Sequence, residues 1–231
     1  METARLWNWT VPDGVSYSEA CSGDTMAEYT LHSMQTSGNC YKPRLLMHQL
    51  GIGFRLVDTD SAKGDTRTPA FLALNPNGRV PLLILPDGRR LPESNAMLLY
   101  LAEGTKYLPA DRYDRGMCYH WLFFEQYEHE PSVAVARSWL SVYPDRIGKA
   151  TSEQVADWHR RGNRALAVME QRLAEHDWLA GSAYSVADIA LYAYTHVAEE
   201  GGFDLSKYPG IGAWLKRVAA EPGHVPLAWR P

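Results

Sequence analysis

The chain has 231 residues, with 23 Lys and Arg against 27 Asp and Glu, a formal charge of −4, and 45% hydrophobic residues. That balance excludes a strongly basic nucleic-acid footprint and a mainly disordered chain, and the length allows one large domain or two small ones. No run reaches the roughly 18 apolar residues of a membrane span, the start is not leader-like, and Cys21, Cys40 and Cys118 form no C-x-x-C pair, so we expect a protein of the reducing cytoplasm without disulfides, metal or membrane contact.

Residues 1–26 show no periodicity and carry loop punctuation at Pro12, Gly14 and Gly23. Dense patterning starts at Ala27, so we read 1–26 as an N-terminal extension, with Met26 a candidate natural start. Glu28 to Met34 alternates like a short strand. Asn39 to Leu50 has helical spacing and closes on Gly51; because Pro43 is tolerated only in a first turn, the helix must open close to Asn39. Phe54 to Val57 is a second strand, and a helical crossover between two strands makes them parallel.

Thr68 to Leu74 reads as a short helix and Val80 to Leu85 as a buried strand. Asp87-Gly88 signals a hairpin into Arg89 to Leu91, and Ser94 to Ala102 is a helix with Ser94 as its N-cap. The first module, 27–104, is therefore β-α-β-α-β-β-α. After a linker at 105–112 the strand signal vanishes, and 113–231 reads as all-helical. Tyr113, Met117, Trp121 and Phe124 recur at helical spacing, with a kink expected at Pro131. Thr151-x-x-Gln154 and Ser185-x-x-Asp188 are capping boxes, the second opening a helix apolar on nearly all sides.

An α/β module of this order followed by an all-α helical bundle resembles the cytosolic glutathione transferases, and two stretches carry the likeness: LHSMQTSGNCYKPRLLMHQLG, and NPNGRVPLLILPDGRRLPESNAMLLYLAE. SVADIALYAY is similar to the equivalent capping box of that family's helical half. The resemblance implies a thioredoxin-like first domain, glutathione as co-substrate, a small-molecule electrophile as second substrate, and a homodimer. It also implies that the proline of Val80-Pro81 is cis and that the E-S pair opens the third helix.

Glutathione has two carboxylates, one ammonium and a thiol of pKa about 8.5, so a catalyst must hold charged ends and favour the thiolate. A cis Val80-Pro81 bond turns the Val80 N–H and C=O outward to pair with the cysteinyl backbone; a trans proline there merely opens an edge strand. Glu93 and Ser94 at a helix start suit the γ-glutamyl ammonium and carboxylate, unless they are an ordinary cap beside a solvated acid. By family position Arg79 meets the glycyl carboxylate or else is a surface arginine.

By the same resemblance Ser37 is the hydroxyl that donates to the thiolate, with Asn39 a second donor; the plain alternative is that Ser37 only caps its helix. Cysteine-type relatives carry their thiol at the position of Gly38, so Cys40, two residues further on, reads as a packed small hydrophobe. Tyr113, Met117 and Trp121 are candidates for a second-substrate pocket. Glu125 and His129 share a helix face and read as a solvated ion pair. A non-catalytic adaptor that keeps this fold for partner binding is the rival reading.

Overall fold

A computed structural model of the chain describes residues 28–231; the proposed extension at 1–26 lies outside the described residues. The first module runs β1 (Tyr29–Ser33), α1 (Gly38–Gln49), β2 (Phe54–Asp58), α2 (Pro69–Leu74), β3 (Leu82–Ile84), β4 (Arg90–Pro92) and α3 (Ser94–Ala102). Its four strands lie in the order β2-β1-β3-β4. The crossover through α1 makes β1 and β2 parallel, in register from Tyr29 opposite Phe54 to Ser33 opposite Asp58. The Asp87-Gly88 turn, with Gly88 at φ 84°, folds β4 back antiparallel to β3, and β3 also lies antiparallel to β1.

Pro43 departs from expectation, standing inside α1 beyond the first turn. The helix forgoes the bond a residue there would give to the Asn39 carbonyl, and burial of Tyr41, Leu45, Leu46 and Met47 holds it regardless. The N-cap of α3 is Glu93, not Ser94, which is the first helical residue.

The helical half comprises α4 (Arg112–Phe124), α5 (Val135–Arg137), α6 (Ser152–Leu173), α7 (Val186–Thr195) and α8 (Pro209–Ala219). Between Phe124 and Tyr143 the chain never leaves the helix; it widens into π-helical stretches at Glu125–Ala134 and Ser138–Val142 on either side of α5. Pro131 has no N–H to give, and Ser132 Oγ donates to the Glu128 and His129 carbonyls at 2.8 and 3.2 Å, so wider turns replace the expected kink. Both capping boxes form as expected. Every residue of α7 is buried, and Ile189, Leu191 and Ala193 join Leu31, Leu45 and Leu98 of the first module in one continuous core. Among the described residues no helix is long and apolar enough to cross a membrane.

Candidate active-site cleft

A cleft of about 760 Å³ lies where the first module faces the helical half. It is lined from the first module by Ser37, Asn39, Arg79, Val80, Pro81, Glu93 and Ser94, so all seven glutathione-site candidates come together.

At one end Ser37 caps α1: its Oγ accepts the Cys40 N–H at 3.3 Å. A hydroxyl used as a helix cap accepts through a lone pair and keeps its own proton for another partner. The capping role and the donor role are thus compatible in one side chain. The following Gly38 is required by packing, because a Cβ there would lie 2.6 Å from the Ala193 carbonyl oxygen and 2.7 Å from a ring carbon of Tyr194. Any thiol at this position would collide with α7. Cys40 points inward, fully buried, its Sγ accepting the Met34 N–H at 3.3 Å; burial pushes its thiol pKa up.

Asn39 is less free than the sequence suggests. Its N–H donates to the Tyr194 hydroxyl at 3.2 Å and its Oδ1 accepts from Ser94 Oγ at 3.2 Å. Tyr194, from α7, is a cleft residue that the sequence did not reveal. Burial pushes its hydroxyl well above the usual tyrosine range, while the Asn39 N–H and the Ser37 hydroxyl pull the other way.

At the other end the Val80-Pro81 peptide is cis. Asn75 braces the turn before it, donating from Nδ2 to the Arg79 carbonyl at 2.8 Å. The Arg79 side chain is exposed. Glu93 is exposed as well and holds φ 70°, the one positive φ outside glycine among the described residues. Such a backbone costs about 1–3 kcal/mol, and it sits here on the rim of a cleft.

Beneath Ser94 runs a buried polar network that bridges the two halves. Lys42 of α1 and Glu125 of the helical half are both 0% exposed and pair at 2.8 Å. The same Lys42 ammonium donates to Ser94 Oγ at 3.3 Å and Asn95 Oδ1 at 3.0 Å, and Asn95 Nδ2 donates to Glu125 Oε2 at 2.9 Å. Glu125 and His129 are therefore not a solvated ion pair. The His129 Nε2 meets Thr195 Oγ1 at 3.0 Å, and burial with the nearby Lys42 charge lowers its pKa to about 3, so it stays neutral.

The opposite wall differs from expectation. Tyr113 is 74% exposed, Trp121 is 3% exposed in the core, and Met117 is half-buried; none of the three lines this cleft. The wall is instead Gln126, Glu130, Ala134, Ser138 and Val142, every fourth residue, with Val135, Tyr143 and Arg146 beside them. In an α-helix of 3.6 residues per turn a four-residue step overshoots one turn, and in a wider π turn it falls short. Alternating the two keeps the stripe on one face. A reading by α-helical period alone cannot find it. Two contacts fix this wall to the first module: Arg137 Nη1 donates to the Thr36 carbonyl at 2.7 Å, and the Tyr143 hydroxyl meets Ser61 Oγ at 2.8 Å.

Residues 36–103 match the model of the glutathione S-transferase N-terminal domain, and residues 116–222 that of the glutathione S-transferase C-terminal domain. The chain is 31% identical over 207 residues to glutathione S-transferase 3 of Zea mays, spanning 85% of this chain and 91% of that one. It is 29% identical over 191 residues to the disulfide-bond oxidoreductase YfcG of Escherichia coli, spanning 80% of this chain and 87% of the relative. Among solved structures, a glutathione S-transferase from Pseudomonas fluorescens superposes with TM-score 0.82 at 50% identity, covering 86% of this chain and 98% of that one. Ure2p in complex with glutathione superposes with TM-score 0.77 at 26% identity, covering 87% and 93% respectively.

Proposed function

The chain belongs to the glutathione S-transferase family, and from that premise we propose that its cleft binds glutathione, ionises the thiol at Ser37 and directs the thiolate at an electrophile held against the helical wall. The observation that carries this reading is the Ser37 hydroxyl, whose acceptor capacity is used by the Cys40 N–H and whose proton remains to donate into the cleft. A hydrogen bond to a charged group contributes about 1.5–3 kcal/mol. At about 1.4 kcal/mol per unit, that lowers the thiol pKa by about one to two units and supplies thiolate near neutral pH. The Val80 backbone takes the cysteinyl peptide, Arg79 the glycyl carboxylate, and Glu93 with the α3 N-terminus the γ-glutamyl end. Asn39, tied to Ser94, links the thiol end to the γ-glutamyl end.

We assign the chemistry to a serine-type mechanism. Cys40 is buried and its thiol pKa raised, which argues against a thiol exchanging with glutathione. The exposed aromatics Tyr100, Tyr113, Phe123 and Tyr127 on α3 and the long helix support a homodimer built on that face. The cysteine usage supports a cytoplasmic location.

The test is Ser37→Ala. Ultraviolet titration of bound glutathione should show its thiol pKa raised by about one to two units, with affinity within a few-fold, while Cys40→Ala leaves the titration where it was. A titration unmoved by Ser37→Ala removes Ser37 as the donor. Failure of the wild-type chain to be retained on immobilised glutathione favours the adaptor reading.

A further inference from the structure

The glutathione reading leaves one charged group of the cleft without a task. Arg146, half-buried at the far end of the helical wall, lines the cleft beyond Val135 and Val142. Its guanidinium carbon lies 4.3 Å from the centre of the Tyr143 ring and 5.4 Å from that of Trp139, and its Nη1 donates to Ser138 Oγ at 3.4 Å. Among the described residues it makes no ion pair. The neighbouring cation of the same wall, Arg137, is matched: its Nε pairs with Glu200 at 2.8 Å. The cleft carboxylates lie elsewhere. Glu93 stands on the α3 rim, and Glu130 is engaged by the Arg79 and Lys42 charges and a hydrogen bond from Asn39.

We propose that Arg146 is the anion-recognising residue of the second-substrate side, and that this side takes electrophiles carrying a carboxylate on an apolar ring. The proposal rests on the glutathione reading and names its second substrate class. Two aromatic rings hold the guanidinium plane, one N–H is used by Ser138, and the remaining donors form the fork that matches a carboxylate in bidentate fashion. Between this fork and Ser37 the wall is Ala134, Val135 and Val142, apolar and suited to a ring. For an aryl chloride the glutathione thiolate attacks the ring carbon that bears chlorine. The C–S bond forms, the C–Cl bond breaks, chloride leaves with the bonding electrons, and the thiol proton has already gone to solvent.

Two probes of nearly equal shape test it: 4-chloro-3-nitrobenzoate and 4-chloro-3-nitrobenzamide, each kcat/KM divided by the uncatalysed rate with glutathione. The wild-type protein should prefer the benzoate by about tenfold or more, and Arg146→Gln should lower that preference by about tenfold to a hundredfold, chiefly through KM for the benzoate. Arg146→Lys should restore part of it, since an ammonium keeps the charge without the fork. Equal losses on both probes overturn the proposal, as does a wild-type protein that does not favour the benzoate. A rise in KM for glutathione in Arg146→Gln also overturns it, by assigning Arg146 to the glycyl carboxylate. A wild-type protein that neither binds glutathione nor turns over either probe sinks the underlying reading itself, an outcome distinct from loss of preference alone.

Discussion

The two walls of the cleft are built by different rules. On the first-module wall the working groups sit in short consecutive stretches, Ser37 to Asn39, Arg79 to Pro81, and Glu93-Ser94, each at a turn or helix start where backbone geometry fixes the side chain. On the helical wall they come from Glu130, Ser138, Tyr143, Arg146 and Tyr194, spread over about 65 residues and carried by helices whose packing decides what faces inward. One wall is specified locally and the other by tertiary assembly. The joints between them are therefore the places to apply pressure.

The largest effect is expected at the buried Lys42–Glu125 pair, the polar joint between the walls. Lys42→Met should destabilise the fold by about 3–5 kcal/mol, because it leaves a carboxylate buried without its cation. Adding Glu125→Leu should recover most of that loss, since an apolar pair of similar size carries no desolvation penalty. Denaturant unfolding of both single variants and the double variant gives the coupling directly. Additive losses in the double variant would mean that the two halves are joined by apolar packing alone.

A smaller effect is expected at the apolar joint, Gly38 against α7. Gly38→Ala places a methyl group within 2.6 Å of the Ala193 carbonyl oxygen, so α1 and α7 must move apart. Overpacking of this kind costs about 1–3 kcal/mol. For a chain of this size that lowers the melting temperature by roughly 2–12 °C. An unchanged melting temperature would show the seam to be adjustable, and a cysteine at that position would then be tolerated as well.

The same contrast explains what the sequence disclosed. The β-α-β-α-β-β-α order was legible because each boundary carries a local signal: Gly51 after α1, Asp87-Gly88 in the hairpin, and two capping boxes in the helical half. The seven glutathione-site candidates lie on one cleft for the same reason. Tyr113, Met117 and Trp121 were misplaced because apolar spacing on a helix marks a face without saying what that face meets; here it meets solvent or the core. Glu125 looked solvated because its partner, Lys42, lies 83 positions earlier in the sequence. Tyr194 was hidden in a helix buried on every side, where a hydroxyl reads as one more core aromatic.

Tyr194 also offers the finest test, since it is the point where the helical wall reaches into the thiol end of the other. Its oxygen already accepts the Asn39 N–H, a donor of the α1 N-terminus, so its own proton is directed elsewhere, and Ser37 is the group beside it. With glutathione bound, we expect the order Asn39 N–H to Tyr194 hydroxyl to Ser37 hydroxyl to thiolate. Chains of this kind strengthen each member by about 10–30%. Applied to a Ser37 bond of about 1.5–3 kcal/mol, that is roughly 0.2–0.9 kcal/mol, or about 0.1–0.6 units in the thiol pKa. Tyr194→Phe keeps the ring against Gly38 and removes only the oxygen, so the bound thiol should titrate higher by that amount while glutathione affinity holds within about twofold. The opposite sign is equally instructive. Removing the oxygen also frees the Asn39 N–H, and a thiol pKa that falls would show this amide to be the stronger donor, with Tyr194 acting as its plug. Only a pKa that does not move would separate the thiol end from the helical wall altogether.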